Sequence, residues 1–124
     1  MPLAALALVV LLALLATFQI TLALGAPLGR FAWGGRHEVL PRPLRLGSAV
    51  SVVVYAVIAV IALDRAGLID MLAGSVARIA MWVVVGYAAL SIVPNALSRS
   101  RSERAVMVPV SIALTALGLL VAIG

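Results

Sequence analysis

Four uninterrupted apolar runs, roughly residues 3–24, 44–63, 79–97 and 105–123, occupy most of this 124-residue chain. Each comes close to the ~20 residues that a helix needs to cross a hydrocarbon core about 30 Å thick. The runs are continuous and lack the apolar/polar alternation of a membrane barrel strand. Helices, which close their backbone hydrogen bonds within one segment, are therefore the predicted elements. The expected fold is an all-α integral membrane four-helix bundle, a single domain over residues 1–124 with an interfacial loop at 25–43.

Composition agrees with this reading. The chain is 65% hydrophobic and 10% charged, whereas a soluble domain keeps roughly a quarter of its residues charged. The absence of cysteine removes disulfides, thiolate chemistry and cysteine-ligated metal from consideration. The first run opens without basic residues and is longer than the apolar part of a secretory signal, so it reads as a retained helix; a cut after Ala26 is the alternative.

Arginine placement sets the expected orientation. All nine basic residues are arginine and the net charge is +5. The first connection carries Arg30, Arg36, Arg42 and Arg45, and the third carries Arg99, Arg101 and Arg104; the second holds Asp64, Arg65, Asp70 and Arg78, which cancel. Basic connections stay in the cytoplasm, which predicts connections one and three inside, both termini outside, and one dominant orientation. With few exposed aromatics to stack bases, these arginines argue for the bilayer and anionic lipid as partners, and not for nucleic acid. Exclusive arginine use fits a GC-rich genome; guanidinium forks selected for phosphate are the second reading.

Helix ends are also written in the sequence. Pro41 and Pro43 suit the first turn of the second helix. Gly67 is a predicted C-terminal cap and Asp70 a predicted N-cap. Ser100 and Glu103 fit a capping box that starts the fourth helix at Arg101, making connection three a tight hairpin. The segment "MLAGSVAR" at 71–78 reads as an extension of the third helix protruding from the membrane with Arg78 at the outer interface; the other reading is a re-entrant turn with Arg78 directed at Asp64 or Asp70.

Within the spans, small and polar residues fall in rows: Thr17, Thr21 and Gly25; Ser48, Ser51, Tyr55 and Ala62; Ser111, Thr115 and Gly118. Close helix packing accounts for such rows, and a polar seam lining a ligand cavity is the competing account. Gln19 and Asn95 are the intramembrane amides, expected at similar depth and within reach of one another, as a structural staple or, in the second reading, as a substrate contact. No acidic or basic residue is expected deep in a span, which weighs against an ion-coupled pump.

The stretch "GAPLGRFAWGGRHEVLPRPLRLGS", Gly25–Ser48, is the candidate site. In one reading Pro27 starts a short interfacial helix ended by positive backbone angles at Gly34 and Gly35, with Phe31 and Trp33 at headgroup level. In the other, Trp33, Gly34, Gly35, Arg36, His37, Arg42 and Arg45 form a cytoplasm-facing pocket for an anion or lipid headgroup, with Arg99, Arg101 and Arg104 arriving from the same side. His37 beside Glu38 is a poor acid–base pair, because adjacent side chains rarely share a target. No nucleophile or metal-ligand motif accompanies it, so no catalytic residue, metal or cofactor is predicted.

Phe18, Gln19, Gly25 to Pro27, Gly29, Ala32 to Gly35, His37, Leu40, Pro41 and the stretch from Asn95 to Arg104 carry a resemblance to small four-span bacterial membrane proteins with a GAPxGxxAWGGxH-type first loop. The resemblance implies an inner-membrane location and brings no activity, substrate or catalytic residue with it. Small multidrug transporters carry a glutamate in their first membrane helix, where this chain has Gln19, and fluoride channels are rich in phenylalanine, of which there are two here. The expected function is that of a lipid- or anion-binding membrane protein or an accessory (assembly) subunit, alone or within a homo-oligomer or larger membrane complex. A small homo-oligomeric transporter or channel is the alternative.

Because no native cysteine interferes, single cysteines report topology directly. Leu68→Cys is expected to react with an impermeant maleimide on intact cells, and His37→Cys only after the membrane is opened; the reverse pattern would place connection one outside.

Overall fold

The computed structural model describes residues 2–124. It contains four long helices, α1 (Pro2–Ala23), α2 (Arg42–Arg65), α3 (Gly74–Ala96) and α4 (Arg101–Ile123), and no strand among the described residues. All four are long and apolar enough to span a membrane. The chain is an all-α four-helix bundle of the multi-pass type. Neighbouring helices run antiparallel, so connections one and three share one end and connection two shares the other with both chain ends.

Inward positions on α1 are Ala5, Leu8, Leu12, Leu15, Gln19 and Leu22. Steps of three and four keep a single stripe facing the partner helices, as in left-handed bundle packing. Ala77, Met81, Val84 and Ala88 do the same on α3, and Glu103, Ser111, Gly118 and Val121 on α4. The outward stripes are equally apolar, with Val10, Leu14, Val53, Val57, Ile79 and Val83 all exposed. An apolar exterior costs nothing in lipid, so hydropathy alone does not reveal which face is inside.

The expected row on α2 holds: Ser48 and Ala62 are buried and Ser51 and Tyr55 half-buried. The row on α1 does not. Thr17 is exposed and its hydroxyl donates to the Ala13 carbonyl, while Thr21 donates to Phe18, so both bond back to their own helix. Their polarity is met locally, and leucines take the interface instead.

At the end shared by the chain ends and connection two, Leu8, Leu12, Ile58, Ala62, Met81, Val84 and Val121 form a closed apolar core. A second, smaller core of Leu22, Ala32 and Leu40 seats connection one on the opposite end.

Helix termination follows ordinary capping chemistry. Gly25 (φ 94°) and Gly67 (φ 79°) both close Schellman turns. In each, the next residue's amide reaches back to the first carbonyl of the motif, Ala26 to Thr21 and Leu68 to Leu63. Ser100 caps α4 by accepting from the Glu103 amide at 3.2 Å, as expected. Asp70 is not an N-cap: α3 starts after Ala73 with no side-chain cap. Asp64 instead gathers that turn, its Oδ2 accepting from the amides of Met71 and Leu72 at 2.6 and 2.8 Å. Residues 74–78 extend α3, and Arg78 is exposed, not turned toward either aspartate.

Three arginines tie helix C-termini, where unpaired carbonyls and the helix dipole favour a cation. Arg45 donates to Ala23 O at the end of α1, Arg104 to Ser98 O just past α3, and Arg65 to Ala122 O at the end of α4.

The two glycines most unlike one another give a direct test. A Cβ on Gly29 would lie 1.8 Å from the His37 carbonyl oxygen, while one on Gly67 meets nothing despite its positive φ. Gly29→Ala is expected to cost about 3 kcal/mol by displacing backbone, and Gly67→Ala about 1 kcal/mol of left-handed strain. Thermal unfolding in detergent, read by circular dichroism, separates the two.

Candidate functional site

Connection one is not a helix. It forms two 3-10 turns, Gly29–Phe31 and Trp33–Gly35, separated by an extended Ala32 (φ −147°, ψ 162°). Ala32 is buried in the smaller core, and holding it there reverses the chain so that Trp33 adopts φ 52° and turns back onto α2. The indole lies on Gly47, where a Cβ would come within 2.9 Å of the ring, and its N–H donates to Ser48 Oγ at 3.1 Å. Trp33 is thus fixed to the bundle wall. Gly34 (φ 80°) and Gly35 (φ 73°) do take the expected positive angles.

The same loop is fastened to the third connection. Ser100 Oγ donates to the Arg30 carbonyl, and Gly35 sits so close to Ser100 that a Cβ would come 2.4 Å from its Cβ. Arg30 stacks over the Phe31 ring at 4.8 Å.

Beneath this loop lies a cavity of about 520 Å³ between all four helices. Its floor is apolar, with Leu12, Ile58 and Val84 continuous with the closed core. Its walls are polar: Gln19 from α1, Ser51 and Tyr55 from α2, Ser91 and Asn95 from α3, and Ser111 from α4. Connection one roofs it with Ala32, Trp33 and Gly34, while Ser98 and Glu103 close the corner nearest connection three. Trp33, Gly34, Tyr87 and Pro94 line the cavity and are also exposed, so it opens sideways on the α2–α3 flank, under the indole.

Helix direction decides who meets whom, because side chains lean toward the N-terminus of their helix. Gln19 leans down from the loop end and Tyr55 leans up toward it, which sets the amide beside the phenol. The predicted staple between Gln19 and Asn95 does not form. Asn95 Nδ2 instead donates to Ser111 Oγ at 2.6 Å, and that hydroxyl donates to the Met107 carbonyl at 2.6 Å. Gln19 is left with Oε1 buried and without a hydrogen-bond partner. Such an atom costs about 1–3 kcal/mol, and a fold tolerates it where function needs it.

The seven residues of the sequence-predicted pocket part company. Trp33 and Gly34 line the cavity; Gly35 spends its amide on Ala32 O, and Arg45 spends Nε on Ala23 O. Arg36, His37 and Arg42 are exposed, as are Arg30, Arg99 and Arg101, which gives the loop end a crown of outward cations. Of the intramembrane polar residues, Gln19, Tyr55 and Asn95 all reach the cavity. Sequence reasoning missed Glu103 as a cavity residue, because its capping role at the head of α4 already explained it. The chain matches no protein-family model, no curated protein and no solved structure.

An unmet amide beside an Asn95–Ser111 pair that holds two helices together predicts opposite effects. Asn95→Ala should lower stability by roughly 1 kcal/mol, the scale of a hydrogen bond between membrane helices. Gln19→Leu should raise it by a similar ~1 kcal/mol through loss of the orphaned oxygen. Unfolding by sodium dodecyl sulfate titration measures both.

Proposed function

We infer that the chain is a bacterial inner-membrane protein, with connections one and three in the cytoplasm, that binds a lipid or lipid-like amphiphile and serves as a binding or accessory subunit. The observation that carries this reading is the sideways mouth of the cavity. A pocket that opens toward the bilayer flank, polar within and roofed at the loop end, suits a molecule that enters from the membrane and keeps its tail there. The exposed arginines around the roof suit phosphate at the surface, by forked hydrogen bonds and by the potential of an anionic leaflet.

Transport by a homo-oligomer is the competing reading. The apolar core that closes the opposite end favours binding over passage, since a path would require that core to part.

Native mass spectrometry of gently extracted protein tests the reading. Wild type is expected to retain an amphiphile of defined mass, Ser91→Trp to lose it because the indole fills the cavity, and Arg36→Ala with Arg42→Ala to retain it at reduced occupancy. An identical adduct pattern in wild type and the Ser91→Trp variant would sink the cavity as the site. Solute flux in proteoliposomes that stops on the same substitution would move the assignment to transport.

A further inference from the structure

We propose that the cavity recognises a protonated amine on an apolar body, with Glu103 as the counter-charge. This deepens the amphiphile-binding reading and rests on it.

The chain carries a net charge of +5, yet the cavity lining holds one charged side chain, Glu103, and no arginine. Glu103 is 6% exposed and lines the cavity, with Ser98, at the corner nearest connection three. The nearby arginines are committed elsewhere: Arg104 to the Ser98 carbonyl, Arg45 to the Ala23 carbonyl, and Arg30 to the face of Phe31. A carboxylate on the wall of an otherwise uncharged cavity attracts a cation that enters it, and apolar surroundings strengthen that attraction.

Two independent features of the lining point to the same ligand chemistry. Four of the chain's six aromatic residues, Phe31, Trp33, Tyr55 and Tyr87, surround the cavity, and ring faces attract ammonium groups. The Gln19 Oε1, buried and unpartnered, is an acceptor with capacity for an N–H donor. An ammonium group brings positive charge for Glu103 and hydrogens for an acceptor such as Gln19. Glu103 lies in the first turn of α4, at the depth where a membrane lipid carries its headgroup, so the amine has two sources: the headgroup of an aminolipid or a free amphiphilic amine.

The test uses the full chain in nanodiscs, in a Trp82→Phe background that leaves Trp33 as the sole tryptophan at the cavity mouth. Octylammonium and octanol, equal in chain length and different in charge, are titrated against Trp33 fluorescence in phosphatidylcholine discs. Wild type is expected to bind octylammonium roughly tenfold more tightly than octanol. Glu103→Gln, which keeps a residue suited to the capping box, is expected to erase that preference while leaving octanol binding in place. Suppression of octylammonium binding in discs containing phosphatidylethanolamine would identify the lipid headgroup as the source, and unchanged binding would identify a free amine; both support the proposal.

Equal affinity of wild type for the two compounds, or a preference that survives Glu103→Gln, overturns it while leaving the cavity as an amphiphile site. If neither compound binds, both readings fall. Gln19→Leu, expected to fold at least as well as wild type, gives a second variant in which a several-fold loss confined to octylammonium supports the proposal and no loss counts against the role of the amide.

Discussion

Polar side chains of a helix in hydrocarbon have no water to turn to, so each must bond to its own backbone or face the inside of the bundle. Both solutions occur here, and the division between them builds the site. Thr17 and Thr21 take the local solution and are left at or near the lipid face. Gln19, Tyr55, Asn95 and Ser111 take the inward one, and because all of them lie toward the loop end, the interior there is polar while the other end closes as an apolar core. Leucine and valine fill space without partners, whereas amides and hydroxyls hold each other at hydrogen-bond distance and leave room between. The cavity follows from that contrast.

The loop end depends on one fastening. Connection one would be a loose turn if it met only lipid, but the buried Ala32 seats it against Leu22 of α1, and the Ser100 bond to Arg30 and the packing of Gly35 on Ser100 lock it onto connection three. Glycine is needed at Gly35, where a Cβ would overlap Ser100 of connection three, and at Gly29, where it would overlap the His37 carbonyl further along connection one. The roof over the cavity is therefore as firmly built as its walls, and the Trp33 bond to Ser48 fixes the rim of the mouth.

Much of this architecture was legible in the sequence for reasons that are themselves physical. Run length reflects bilayer thickness, and the Ser100–Glu103 cap and the glycine at 67 are local chemistry, so α1 and α2 match their apolar runs within two residues at each end and α4 starts at its cap, while α3 begins at Gly74, five residues ahead of its run. What was hidden depends on three-dimensional facing. Since both faces of each helix are apolar, the inward stripe had to be read from threes and fours in small and polar residues, which worked on α2 and misled on α1, where threonines satisfied themselves. The spacing of Asp70 suggests an N-cap, yet α3 begins without one, and Asp64 of the preceding helix gathers the turn through the Met71 and Leu72 amides, a contact no local spacing announces. Of the arginines counted as one cluster, Arg45 and Arg104 cap helix ends while Arg36 and Arg42 face outward, and sequence separation does not distinguish them.

Charge distribution ties these threads together. Seven of the nine arginines lie at the loop end, yet none enters the cavity, because each is either drawn to a helix C-terminal carbonyl, stacked on a ring, or left at the surface. Guanidinium is easily satisfied at those places, where carbonyl oxygens and lipid phosphates are abundant. Glu103 has no such outlet: the positive end of its own helix favours it at the N-terminal turn, and the bundle packs around it there. The result is a small negative interior beneath a positive rim. A zwitterionic or cationic amphiphile entering from the flank would meet each charge of opposite sign at its own depth, phosphate outside and amine within. An anion would gain at the rim and be opposed further in.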